Sequence, residues 1–146
     1  LAAADRLIRA HLVGRGSEAT IAVDLFRKAQ RIVDLIRDPE PGEDPWRCHE
    51  VARVVGGELG LAVVDGYYGC VDHSWLVIPN GGVDGHAILD VYGAGVLPQV
   101  FLLDTFYGLP AGTSYRVRRE PRDDIKHEAV RQMRASLKKT EAAYAG

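Results

Sequence analysis

A thiol, an imidazole and a carboxylate follow one another along this chain at Cys48, His73 and Asp90. In that order they can supply a nucleophile, the base that takes its proton and the acid that fixes the base's tautomer, which is the chemistry of acyl transfer through a thioester. Each group needs an element to position it. Asp44 has the side chain of an N-cap, and Pro45 suits a first helical position because its missing N–H would be unpaired there anyway. Val51, Val54, Val55 and Leu59 then recur at helical spacing. Cys48 is thus expected in a first helical turn, where unpaired N–H groups and the positive end of the helix dipole favour thiolate over thiol. The same donors could hold a developing oxyanion.

The base and the acid are expected on strands. HSWLVIP, from His73 to Pro79, and HAILDVY, from His86 to Tyr92, are rich in apolar and aromatic residues and are separated by the turn-forming PNGGVDG. A hairpin centred between Gly81 and Gly82 sets His73 opposite Asp90, and directly opposed residues share a face of the sheet. Asp90 would then hold one ring nitrogen of His73 and leave the other for Cys48.

Cys48, Glu50 and Ala52, followed by ELGLAVVDGYY, HSWL and ILDVY, resemble the transglutaminase-like core domain of the papain-like cysteine protease and transglutaminase superfamily. The resemblance covers roughly a third of the chain and rests on the order and spacing of short motifs. It implies an α+β, papain-like fold, an antiparallel meander with helices packed against it and the catalytic cysteine at a helix N-terminus. Position by position, Cys48 matches the nucleophile, His73 the base and Asp90 its orienting carboxylate. Trp46 and Trp75 stand where substrate contacts are expected, with packing at the start of the helix as the competing role for Trp46. No counterpart of the family's extra oxyanion donor is evident, and the Cys-to-His interval is short, leaving little room for substrate-binding insertions. The implied activity is thiol-dependent amide hydrolysis, as a cysteine protease or protein deamidase, acting on a protein or peptide without a cofactor or metal. Transglutaminase-type acyl transfer is the first alternative. A binding or scaffolding module that keeps the fold without turnover is another.

Local alternatives stay open. Cys70 lies three residues before His73, but on an extended strand that is about 10 Å and an odd spacing, which turns the two side chains to opposite faces. Asp65 could orient His73 instead of Asp90 if the preceding hairpin centres near Gly69. Cys48, His49, Cys70 and His73 have the chemistry of a small zinc-binding domain, although adjacent side chains diverge by about 100° on a helix. Finally, Cys48 could be a buried thiol that only packs.

Composition bounds the rest. A chain of 146 residues fits one domain with a core that needs no disulfides or metals. A net charge of −2 with both signs mixed argues against a dedicated nucleic-acid binder. Two cysteines make no disulfide framework, so a reducing, cytoplasmic compartment is the default. No apolar run is long enough to span a bilayer. The first residue is Leu1 rather than methionine, so the natural start and any leader stay open, as does the oligomeric state.

The single expected domain, 1–146, divides into N-terminal helices (1–37), a catalytic core (44–104) and a C-terminal helix (122–145). Residues 1 to 13 read as a short helix ended by Gly14 and Gly16. Ser17 caps a longer one with an apolar stripe of Ile21, Leu25, Ala29, Ile32 and Ile36. DPEPGEDP, from 38 to 45, must be a loop, either a plain connection or an acidic rim beside Cys48 that favours cationic or neutral substrates. Strands are expected at 61 to 68, 72 to 79, 86 to 92, 96 to 104 and 114 to 120. Arg116, Arg118 and Arg119 belong to the last and could contact an anionic substrate, but the alternation of Tyr115 and Val117 favours a solvated edge strand. Asp123 or Asp124 caps the final helix, with Ile125, Ala129, Met133 and Leu137 inward.

Overall fold

The computed structural model describes residues 17–36, 39–79, 86–92, 101–104 and 115–145. Within them the elements run α1 (Ser17–Leu35), α2 (Cys48–Leu59), β1 (Ala62–Tyr68), β2 (Val71–Pro79), β3 (His86–Asp90), β4 (Phe101–Asp104), β5 (Tyr115–Val117) and α3 (His127–Ala145). The expected helix over 1 to 13, residues 96 to 100 of the fourth expected strand and the turn between β2 and β3 lie outside the described residues. The protein is α+β: the strands form one antiparallel sheet in the order β4-β3-β2-β1-β5. β1 to β4 are a meander, and β5 returns to the free edge of β1.

Alternation along β2 decides what each face of the sheet does. Ser74, Leu76 and Ile78 share one face; His73 and Trp75 share the other. Leu76 and Ile78 join Ala87 and Leu89 of β3 in a core closed by Val51, Val54 and Val55 of α2, Phe26 and Ala29 of α1, and Met133 and Leu137 of α3. The α2 stripe read from the sequence is therefore the buried one. That of α1 is rotated by about one residue: Ala22, Phe26, Ala29 and Ile32 are buried, whereas Ile21 is 56% exposed. Turning Phe26 inward buries the largest apolar side chain of the helix, and Ile21 is left outside as a consequence. Among the described residues no helix is long and apolar enough to cross a membrane.

Two helix starts differ from expectation. α2 begins at Cys48 with Arg47 in the N-cap position, extended at φ −90°, ψ 156°, and with no side-chain cap. The first helical bond runs from Val51 N to Arg47 O at 3.1 Å. Asp44 is exposed and faces Lys126 Nζ at 3.3 Å, so it caps nothing. Glu50 substitutes, since a buried acid in the first turn complements the dipole and is gripped by Arg47 at 2.7 and 2.6 Å. α3 likewise starts at His127 rather than after Asp123 or Asp124, because Asp124 is engaged by Arg122 at 2.8 and 2.7 Å. α2 ends where Gly60 takes a left-handed φ of 69° and its N–H returns to Gly56 O.

Candidate functional site

The late start of α2 makes Cys48 its first residue, so the backbone N–H groups of Cys48, His49 and Glu50 precede the first intrahelical bond. Beside this tip the sheet is incomplete. β3 ends at Asp90, and His73 of β2 has no β3 partner across from it.

His73 and Asp90 meet, although not by direct opposition. The β2–β3 ladder pairs Leu76 with Leu89 and Pro79 with His86, so it is displaced by two residues from the expected register and carries Asp90 level with Trp75. Side chains alternate with a period of two, so this displacement keeps Asp90 on the face of His73 and makes them diagonal neighbours. His73 Nε2 lies 2.7 Å from Asp90 Oδ2, with both side chains fully buried. Asp90 also accepts the Tyr115 hydroxyl on Oδ2 at 2.7 Å and the Tyr92 backbone N–H on Oδ1 at 3.0 Å. With Nε2–H given to a carboxylate, the proton of a neutral ring is fixed there and Nδ1 is left as the working nitrogen. Nδ1 is buried without a hydrogen-bond partner.

Cys48 is 8% exposed, and its sulfur lies 3.6 Å from His49 Nδ1. Burial alone would raise its thiol, but His49, in contact with the sulfur, and then the influence of His73 bring it down to about 6. Burial pushes His73 the other way, and its bond to Asp90, followed by the influence of Cys48, raises it to about 9. A thiolate–imidazolium pair is thus favoured between those values, and the N-terminal position on α2 acts in the same direction.

The wall behind His73 is aromatic. Trp75 and Tyr115 meet edge to face at 5.0 Å, as do Tyr68 and Tyr115, and the His73 ring centroid is 6.0 Å from that of Trp75. Gly66 sits opposite His73 and has to be glycine, because a Cβ there would lie 2.0 Å from Arg116 O and 2.6 Å from Trp75 Cη2. Trp75, an expected substrate contact, is 3% exposed; its surroundings give it the work of holding His73. Trp46 instead lines an open cleft of about 490 Å³ between the loop before α2 and the start of α3, with Glu43, Asp44, Glu50, Lys126 and Glu128. Cys48 is not among the residues that line it.

The other face carries a second set of polar groups. The β1–β2 ladder puts Gly66 opposite His73 and Asp65 opposite Ser74, so Asp65 points away from His73. It accepts from Ser74 Oγ at 2.6 Å, from Arg53 at 3.1 and 2.8 Å and from the Arg122 backbone N–H at 3.2 Å. Ser74 Oγ is in turn 2.7 Å from His49 Nδ1. The sequence offers His49 only as a zinc ligand and gives no site role to Ser74 or Tyr115. Only the position of His49 next to a first-turn cysteine could have flagged it.

Cys70 is exposed in the β1–β2 turn while Cys48 is buried, so the four candidate zinc ligands are not brought together. Among the described residues no three His, Cys, Asp or Glu side chains are grouped to hold a metal ion. Compared with protein-family models, curated proteins and solved structures, the chain finds no match.

Proposed function

We propose that this chain is a thiol-dependent amide hydrolase with a transglutaminase-like, papain-like core, using Cys48, His73 and Asp90. The observation that carries the reading is the state of His73. Its Nε2 is tied to Asp90 at 2.7 Å, its Nδ1 is buried and unpartnered, and the influence of Cys48 adds to that of Asp90 in raising it.

The Cys48 thiolate attacks an amide carbon, forming the C–S bond and pushing charge onto the carbonyl oxygen, which the free N–H groups of the first turn of α2 stabilise. Collapse breaks the C–N bond as His73 gives its proton to the departing amine, leaving a thioester. Water then adds to the thioester carbon while His73 takes its proton, and the acid is released with the thiolate restored. An amine in place of water gives acyl transfer. Hydrolysis is preferred because a small domain excludes water poorly. The substrate class is a protein or peptide segment, neutral or cationic where it meets the acidic lining beside Trp46.

One observation favours a second reading, a binding module without turnover: Cys48 is 8% exposed, and His73 and Asp90 are fully buried. Alkylation separates the two. In the enzyme, iodoacetamide modifies Cys48 in the native fold with a rate that rises through about pH 6, and His73→Ala slows it at neutral pH. Casein supplied with a labelled primary amine then reports new N-termini, ammonia release or label incorporation, which distinguishes proteolysis, deamidation and transfer. A Cys48 that reacts as an ordinary thiol, or only after unfolding, ends the enzyme reading.

A further inference from the structure

The His73 side of the sulfur leaves unexplained why a second imidazole is built against the same atom. Cys48 Sγ is 3.6 Å from His49 Nδ1 and 4.0 Å from Nε2. Behind His49, Ser74 Oγ gives its only proton to Asp65 Oδ1 at 2.6 Å, so at 2.7 Å it can only accept from His49 Nδ1. The direction of the chain is thereby fixed: Nδ1–H to Ser74, and Ser74 O–H to Asp65. Arg53 anchors both ends, holding Asp65 and donating to the His49 carbonyl at 2.9 Å.

We propose that His49, oriented through Ser74 by Asp65, is a second base for Cys48 beside His73: with Nδ1–H given to Ser74, Nε2 is the nitrogen left to accept the thiol proton, from a sulfur 4.0 Å away. The proposal rests on Cys48 being the nucleophile. Hydrogen bonds in series polarise one another, and a carboxylate at the far end draws the Nδ1 hydrogen outward, which makes Nε2 the more basic and fixes the ring in orientation. His73 must change protonation during turnover; His49, tied at Nδ1, keeps its orientation throughout. The charged and titratable groups around this chain are Glu50 and Arg53 from α2, Asp65 from β1, His73 from β2 and Tyr92 after β3, the last of which also senses Cys48. Ser74 and Asp65 are positioning residues. The lowered thiol at Cys48, in which His49 outweighs His73, agrees with the geometry.

The test is the pH profile of Cys48 alkylation in the full chain carrying Cys70→Ser, with folding followed by circular dichroism. His49→Asn and Ser74→Ala are each expected to move the midpoint upward, His49→Asn by about one pH unit, or a roughly fivefold slower reaction at pH 6. Wild-type imidazole nitrogen shifts, which need no variant to fold, are expected to show His49 as the Nδ1–H tautomer. An Nε2–H tautomer, or folded variants that keep the parent midpoint, overturns the relay. If the parent midpoint is low and lost in His73→Ala while His49→Asn and Ser74→Ala retain it, the relay alone fails. A parent that titrates as an ordinary thiol removes the nucleophile and the relay together.

Discussion

Asp90 is held by three donors although it is fully buried: the His73 ring, the Tyr115 hydroxyl and the Tyr92 backbone. A buried carboxylate is tolerable only when so satisfied, and each donor removed exposes the cost of the rest. Tyr115→Phe is therefore expected to cost about 1–2 kcal/mol, read as a lower urea midpoint, while the fold persists because the ring still packs on Trp75 and Tyr68. Unchanged stability would mean that the hydroxyl bond is not formed. Cys48, His73 and Asp90 were legible because each sits in a short local motif. Tyr115 was not, since nothing in SYRVRRE says which strand it joins or that its hydroxyl reaches β3. His49 and Ser74 were hidden differently: each adjoins a residue that already had a role, and only folding reveals that neighbours in sequence serve opposite faces.

Register explains how the sequence could give the right partner for His73 and miss the second network. The β2–β3 ladder departs from the expected one by two residues, which preserves the face, so Asp90 still reaches His73. The β1–β2 ladder departs from the hairpin that would have levelled Asp65 with His73 by a single residue, pairing Asp65 with Ser74 instead, and a single step reverses every side chain. Asp65 thus orients an imidazole after all, that of His49 through Ser74. Neither register could be read from turn residues as permissive as PNGGVDG or YYGCVD. The strand β5 depends on a comparable detail, the bare Cα of Gly66 against Arg116 O. Gly66→Ala places a Cβ 2.0 Å from that oxygen, so β5 must shift off β1 and carry Tyr115 away from Asp90. A loss of about 3 kcal/mol is expected, with Cys48 alkylation altered even where the remaining sheet is folded. A variant with wild-type stability and reactivity would show that β5 does not brace the site.

At the scale of the molecule, Asp65 is where the pieces meet: it is bonded to α2 through Arg53, to β2 through Ser74 and to the segment before α3 through the Arg122 backbone. Composition fixed one domain as the expectation and periodicity fixed most inward faces, but a hub of this kind depends on residues 12, 9 and 57 positions apart in sequence and has no local signature. Its contribution has a definite pH dependence. Burial would raise the Asp65 carboxyl, yet Arg53, Ser74 and the Arg122 N–H together lower it from an ordinary 3.8 to about 2. A carboxyl lowered by folding adds stability that is fully present above its unfolded value and is lost as pH falls towards its folded one. Asp65→Asn keeps the shape and removes the charge, and at pH 7 it is expected to lose about 1.5–3 kcal/mol. Because Glu50 and Asp124 are lowered too, the wild-type acid transition alone does not isolate Asp65. The difference between wild type and variant does, and it should shrink between about pH 4 and pH 2, as protonation makes the native aspartate resemble the asparagine. Urea unfolding at a series of pH values measures that difference, and a gap that holds constant to pH 2 would show that the charge of Asp65 is not what joins the helices to the sheet.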